Sequence, residues 1–416
     1  MTGNSPRTYS YAARIGFVVE LAEHLHAYGT TAQRLEGAVV GVAHQLGLEC
    51  EPRVSPTGML LAFSDPQCPP GESDITRVLR MGLGEVNLYK LSEADRIAEE
   101  VLAGTLDLSD GHSELLELEL RRPGRGGRIL HAFGFAMIAA GVAGLWRLPW
   151  LDIATAAGIG LLVGLLDMAT RNGDRLKEAH EALAGMLAGF VAIAVASTVG
   201  PLNLNTVVIA SLLVLLPGMA ITNAVNELTS QHLVSGTARL SGAVATVIKL
   251  TVGTMIALTI AQLLGIEPQV RAWRPQPDWV EWAGLVVACA AFAVLFRARP
   301  RDVPLVMAAA ATGYLISRHA GLEWGAPIGL FLSALVVTAA GNGYARWASR
   351  PGAIVRVPGI IMLVPGSASL RGLMTLIQQQ DMAVGQEALM AVVNIILALI
   401  AGLLFGNLIL PARKNL

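Results

Sequence analysis

The 416-residue chain is 53% hydrophobic by residue type and only 15% charged, where soluble globular chains carry about 25% charged residues. That composition, with a mean hydropathy of +0.55, argues against an ordinary soluble enzyme, and a net charge of −1 without a basic tail argues against nucleic acid as a partner. The charges are uneven: residues 1–129 hold 12 Lys/Arg and 18 Asp/Glu, net −6, and the remaining 287 hold 18 and 13, net +5. A domain of soluble composition is therefore expected to precede a lipid-embedded one.

In chain order, residues 9–28 and 30–47 read as two amphipathic helices, with Ile15, Val18, Val19, Ala22 and Leu25 at helical spacing. Gly29 and Gly47 stop them, and Thr30 with Gln33 predicts a capping box for the second. Strand-like runs follow at Met59–Phe63 and Val78–Leu83, with Pro52, Pro56 and 66–71 as breakers. Ser92 predicts a helix to about Leu102, and Ser113–Leu120 a last one. This is a small α+β unit, residues 1–128, ending in a basic, flexible linker, 121–128. The first long apolar run starts near Ile129, so no signal peptide is expected. Cys50, Cys68 and Cys289 make no pattern and are expected to be reduced thiols. His24 and His26 are two apart and do not share a helix face, so neither a metal site nor any cofactor is expected.

Ten apolar segments follow: 129–147, 151–169, 181–199, 205–226, 236–264, 280–297, 303–320, 325–345, 357–378 and 385–410. Each approaches the roughly 20 residues that cross a bilayer. Pro217-Gly218 in the fourth aligns with Pro365-Gly366 in the ninth at an offset of 148, which also superposes the other spans in order. The expected fold is mainly α: a polytopic membrane protein of ten transmembrane helices in two five-helix repeats, 129–264 and 265–416. An odd number of spans per unit makes the repeats inverted, a plan typical of secondary transporters. Arg171, Arg175, Lys177, Arg297, Arg299, Arg301, Arg346, Arg350, Arg413 and Lys414, with Arg121, Arg122, Arg125 and Arg128, fall on one side. Only Arg147, Arg271, Arg274 and Arg318 fall on the other, so both termini are expected in the cytoplasm, at the inner membrane.

Symmetry-matched Pro/Gly interruptions inside spans point to a substrate site, because proline removes a backbone donor and glycine permits unwinding. Thr222, Asn223, Asn226 and Glu227 follow Pro217 and Gly218; Ser367, Ser369 and Arg371 follow Pro365 and Gly366. Thr246 of span five has Asn394 as its repeat mate, and Gly242, Thr246, Lys249 and Gly253 share one helix face that should point into the bundle. An ionised lysine at mid-membrane costs at least about 2.5–3.5 kcal/mol without a partner, so Lys249 is expected to pair with Glu227, or else Asp167, in a proton-coupling charge system. The hydroxyls, amides and charges suit a small zwitterion, and a transporter of a small polar solute is the class they support. Protons, the lipid bilayer and an amino-acid solute are the expected partners, with assembly into a homo-oligomer left open. The competing class is a membrane-anchored enzyme or sensor acting through its soluble domain.

Four segments resemble the threonine/serine exporter family: HLHAYGTTAQRLEGAV (24–39), NLYKLSEADRIAEEVLAG (87–104), PGMAITNAVNEL…SGTARL (217–240) and VPGSASLRGL (364–373). The resemblance covers nearly all of the chain, roughly 10–412. It implies proton-driven export of threonine and serine, or, as in relatives with split subunits, export of a dicarboxylate such as succinate; the family's soluble domain has been compared to hydrolases with no settled activity, and this chain is expected not to be an enzyme.

Overall fold

A computed structural model describes residues 9–69, 71–121, 123–170, 173–271, 274–363, 366–379 and 382–411. The soluble domain opens with α1 (Tyr11–Ala27) and α2 (Ala32–Gln45). Gly29 and Gly47 follow them at φ +88° and +70°, left-handed positions that end a helix and suit glycine. A three-stranded antiparallel sheet comes next, ordered β1 (Glu49–Ser55), β2 (Gly58–Ser64), β3 (Ile75–Arg80). Then come α3 (Leu88–Leu102) and α4 (Leu108–Leu120). Phe17, Leu21, Leu35, Leu61, Phe63, Ile97 and Leu115 form the core between helices and sheet.

The α+β character is as expected, but several elements differ. β1 is a strand where only breakers were read, because Pro52 sits opposite Leu61 on an edge strand, where a missing donor is tolerated. The third strand starts at Ile75 rather than Val78. Asn87, not Ser92, caps α3, and α4 starts at Leu108 rather than Ser113 under an Asp107 cap; the two caps accept from the backbone N–H of Lys90 and Ser109. The expected linker is partly helix, since α5 begins at Arg125; Arg122 lies outside the described residues.

Among the described residues, the membrane region is built of helices and short connections. The first unit comprises α5 (Arg125–Leu145), α6 (Trp150–Thr170), α7 (Asp174–Thr198), α8 (Leu204–Ser211), α9 (Gly218–Thr229) and α10 (Leu233–Leu263). The second comprises α11 (Asp278–Leu295), α12 (Val303–Trp324), α13 (Ala326–Ala348), α14 (Ala353–Ile361), α15 (Gly366–Gln379) and α16 (Met382–Ile409). Each expected span carries a helix or a broken pair. Among the described residues, seven helices are long and apolar enough to cross a membrane, and the pair through α8 and α9, bent by 58°, makes an eighth. Ten crossings are more than length and apolarity support: Arg318 and His319 make α12 less apolar, and the α14–α15 pair is split into short helices.

The two units match element for element. Gly218 opens α9 and Gly366 opens α15, 148 residues later. Helix α7 lies along α10 as α13 lies along α16, and α9 and α15 each fold back on the helix that follows. The units join along α5 and α11, where Gly134 faces Leu295, Gly141 faces Ala288 and Gly144 faces Gly284. That order makes the two helices antiparallel, and small residues let their backbones approach closely. Outward, Val244, Ile248, Val252 and Ile256 leave an exposed apolar stripe on α10, the surface a helix presents to lipid.

Candidate functional site

The first Pro-Gly pair breaks its span. A short 3-10 turn, Leu213–Leu215, ends before Pro217, and α9 restarts at the buried Gly218. Pro365 lies outside the described residues, but Gly366 is buried against the first break. A Cβ added there would stand 3.0 Å from the Leu216 Cβ and 3.3 Å from the Gly218 nitrogen. The two interruptions therefore meet where α9 touches α15.

Beside this junction, between the soluble domain and both membrane units, lies a cavity. The soluble domain lines it with Tyr28, Thr30, Arg34 and Asp95; α9 with Thr222, Asn223 and Asn226; α14 and α16 with Arg356 and Asn407. The sequence-predicted polar residues of α9 are thus at the cavity, while the residues facing them from the soluble domain and from α14 were not anticipated. Thr222 is buried, and its hydroxyl donates to the Gly218 carbonyl at 3.1 Å. Arg34, half-buried, donates to the Asn342 Oδ1 at 3.4 Å, and desolvation lowers its guanidinium to about 10. It remains a cation at neutral pH. The Thr30 and Tyr28 hydroxyls are buried with no hydrogen-bond partner among the described residues.

Glu227 closes one side of this interface. It is 0% exposed and accepts from four donors: Ala32 N–H at 3.2 Å, Ser235 Oγ at 2.8 Å, Arg239 Nε at 3.1 Å and Arg239 Nη2 at 3.2 Å. The carboxylate thus caps α2 from 195 residues away. This replaces the expected Thr30/Gln33 box, for Thr31 is the N-cap residue and its side chain makes no capping bond. It also overturns the expected Lys249–Glu227 pair, since Glu227 is already saturated by Arg239 and the helix terminus. Nearby, His232 meets Glu36 at 2.8 Å. The second unit holds the domain through Arg350, which binds Asp302 at 2.6 and 2.7 Å and Ser92 at 3.2 Å, and through the Arg299–Glu93 ion pair.

The other predicted residues are dispersed. Lys249 donates to the Glu178 carbonyl at 2.9 Å and meets Glu181 at 3.4 Å, both on α7. Its helix face packs on α7 through Gly253, against the Ala182 carbonyl, rather than on the cavity, and Gly242 is open. Lys249 lies near the middle of the 31-residue α10, level with the second turn of α7, and is partnered there. Asp167 faces His131 at 3.5 Å. Thr246 is half-buried and Asn394 exposed, and neither lines the cavity. Ser367 is half-buried, the Ser369 side chain lies outside the described residues, and the exposed Arg371 stacks 5.6 Å from the Trp146 ring. His24 and His26 bond backbone carbonyls of Glu20, Pro56 and Gly82, and among the described residues no His/Cys/Asp/Glu cluster could hold a metal.

Comparison with known proteins places these features in context. A family model for the threonine/serine exporter ThrE matches residues 16–261, and a second, described as threonine/serine exporter ThrE, matches 281–409. Among curated proteins, the pheromone-regulated membrane protein 10 of Pichia sorbitophila is 26% identical over 388 residues, covering 88% of this chain and 37% of the relative. Its namesake in Eremothecium gossypii is 24% identical over 381 residues, covering 88% and 50%. The chain thus spans about a third to a half of the relatives' length. No solved structure matches it.

Proposed function

Because the chain belongs to the threonine/serine exporter family, we propose that it is a secondary transporter exporting small polar amino acids, threonine and serine foremost, across the cytoplasmic membrane by proton antiport. The observation that carries this reading is the cavity beside the two joined helix breaks, with Thr222, Asn223 and Asn226 on its wall. Helix interruptions at a repeat interface are where secondary transporters bind their solutes. Hydroxyl and amide groups there match a hydroxylated amino acid. Antiparallel α5 and α11, the first helices of matching units, support the inverted repeat, with both termini cytoplasmic and the soluble domain inside.

Proton coupling falls, in this reading, to the pairs Lys249–Glu181 and Asp167–His131, because Glu227 is committed to holding the soluble domain. Ions in membrane helices that pair with one another commonly form proton relays. A second solute class, dicarboxylates, is favoured by one observation: two guanidinium residues, Arg34 and Arg356, line the cavity against one acid, Asp95.

Counterflow in proteoliposomes with threonine, serine and succinate tests both readings. Threonine and serine are expected to exchange, with a pH gradient driving accumulation that Lys249→Met and Asp167→Asn weaken. Exchange of succinate alone would transfer the assignment to dicarboxylates, and no exchange of any probe would remove the exporter reading.

A further inference from the structure

Taking the cavity as the solute site of the exporter reading above, we propose that Arg34, a residue of the soluble domain, binds the carboxylate of the transported solute. The soluble domain then forms one wall of the binding site itself.

Among the described residues, Arg34 has no carboxylate partner. Its one side-chain hydrogen bond goes to the neutral amide oxygen of Asn342, at 3.4 Å. A guanidinium offers five N–H donors in a rigid fork, so most of that capacity has no protein acceptor. Burial penalises an uncompensated charge, and here desolvation is the cause that lowers Arg34 to about 10, with no carboxylate acting against it. The other arginines that dock the domain are paired: Arg239 with Glu227, Arg350 with Asp302, Arg299 with Glu93. Arg34 is a charged group at a cavity wall, desolvated and without a counter-ion among the described residues, and a planar carboxylate is the ligand its fork fits bidentately.

The surroundings agree. Thr222, Asn223 and Asn226 on α9 and the unpartnered Thr30 hydroxyl supply neutral donors and acceptors for the rest of a small solute. The first turn of α2, which carries Arg34, is fixed against the membrane unit by the bond from Ala32 to Glu227. A fixed donor loses less freedom on binding. An amino acid and a dicarboxylate share the chemistry at this group and differ beyond it.

The test is equilibrium binding of radiolabelled threonine and of succinate to the full chain in detergent, with threoninamide as competitor, alongside flux in proteoliposomes. Arg34→Gln is expected to weaken binding of the carboxylate probe about ten- to a hundredfold, as for loss of a charge-assisted hydrogen bond. It should also abolish the preference for threonine over threoninamide, which a purely structural residue would leave intact. Arg34→Lys keeps the charge without the fork and is expected to bind several-fold more weakly, which carries the test should the glutamine variant not fold. Unchanged affinity in the folded variants, or a wild-type chain that binds neither carboxylate, overturns the proposal. Arg34-dependent binding without flux of either probe would instead sink the exporter reading and leave Arg34 as the carboxylate site.

Discussion

Glu227 and Lys249 are both ionisable residues on membrane helices, and their surroundings give them different weights. Glu227 is fully buried and accepts from Ala32, Ser235 and Arg239. Removing one partner of a buried ion pair strands the other and costs about 3–5 kcal/mol. The Lys249–Glu181 pair is only partly enclosed by protein, with side chains 42% and 24% exposed, and it holds no second domain in place. Glu227→Gln should therefore lower the unfolding temperature of the full chain and open the soluble domain to protease, whereas Lys249→Met should leave both near wild type. Equal effects of the two substitutions would refute the role of Glu227 in docking. The polar character of α9 was legible from the residues that follow Pro217. The partners were not: Ala32 and Glu227 are 195 residues apart, and no local pattern announces a contact of that range. Arg34 was hidden for the same reason, since a lone arginine on an amphipathic helix reads as solvated until a second domain covers it.

At the scale of the element, the two breaks depend on the absence of a side chain. The junction has room for the hydrogen of Gly366 but brings an added Cβ to 3.0 Å from Leu216, while Gly242 on α10 has nothing within 4 Å. Gly366→Leu is expected to abolish flux, with the protein still inserted, and Gly242→Leu to leave flux near wild type; comparable flux in both would reduce the junction to a passive kink. The helices of the soluble domain were legible where glycine sets the boundary, at Gly29 and Gly47. Their starts were less so. Ser92 has the side chain of a cap, yet Asn87 caps that helix five residues earlier, and Asp107 starts the last helix ahead of Ser113. Strand β1 was obscured because Pro52 and its charged neighbours mimic a loop, and only pairing with β2 gives the segment its geometry. At β1 a tertiary contact overrode local preference, whereas the two caps are local bonds made by an earlier residue.

For the whole molecule, the correspondence of the two units was legible from Pro-Gly pairs 148 residues apart, and helices follow in the same order in both; their inversion belongs to the proposal above. The number of membrane crossings was less so, because Arg318 and the split α14–α15 pair fall short of the apolar length that sequence spacing suggested. The proposed orientation is open to cysteine labelling in a background lacking Cys50, Cys68 and Cys289. Probes at Arg147 and Gln276 should react from outside intact cells and probes at Arg299 and Arg350 only after permeabilisation; labelling of all four from one side would refute it. The soluble domain holds the first unit through Glu227 and His232 and the second through Arg350 and Arg299, yet nothing in the repeat duplicates it. In the proposed inverted repeat, two units that exchange conformations bring the inward- and outward-facing forms close in energy, equal only if the units had the same sequence. A body docked at one end removes that near-degeneracy, as any ligand does that favours one of two states. With the orientation proposed here, the resting direction of the pathway is set by how firmly its inner end is capped. Under the exporter proposal, loosening the cap at Glu227 or Arg350 is then expected to shift the balance between inward- and outward-facing forms without altering a cavity-lining residue.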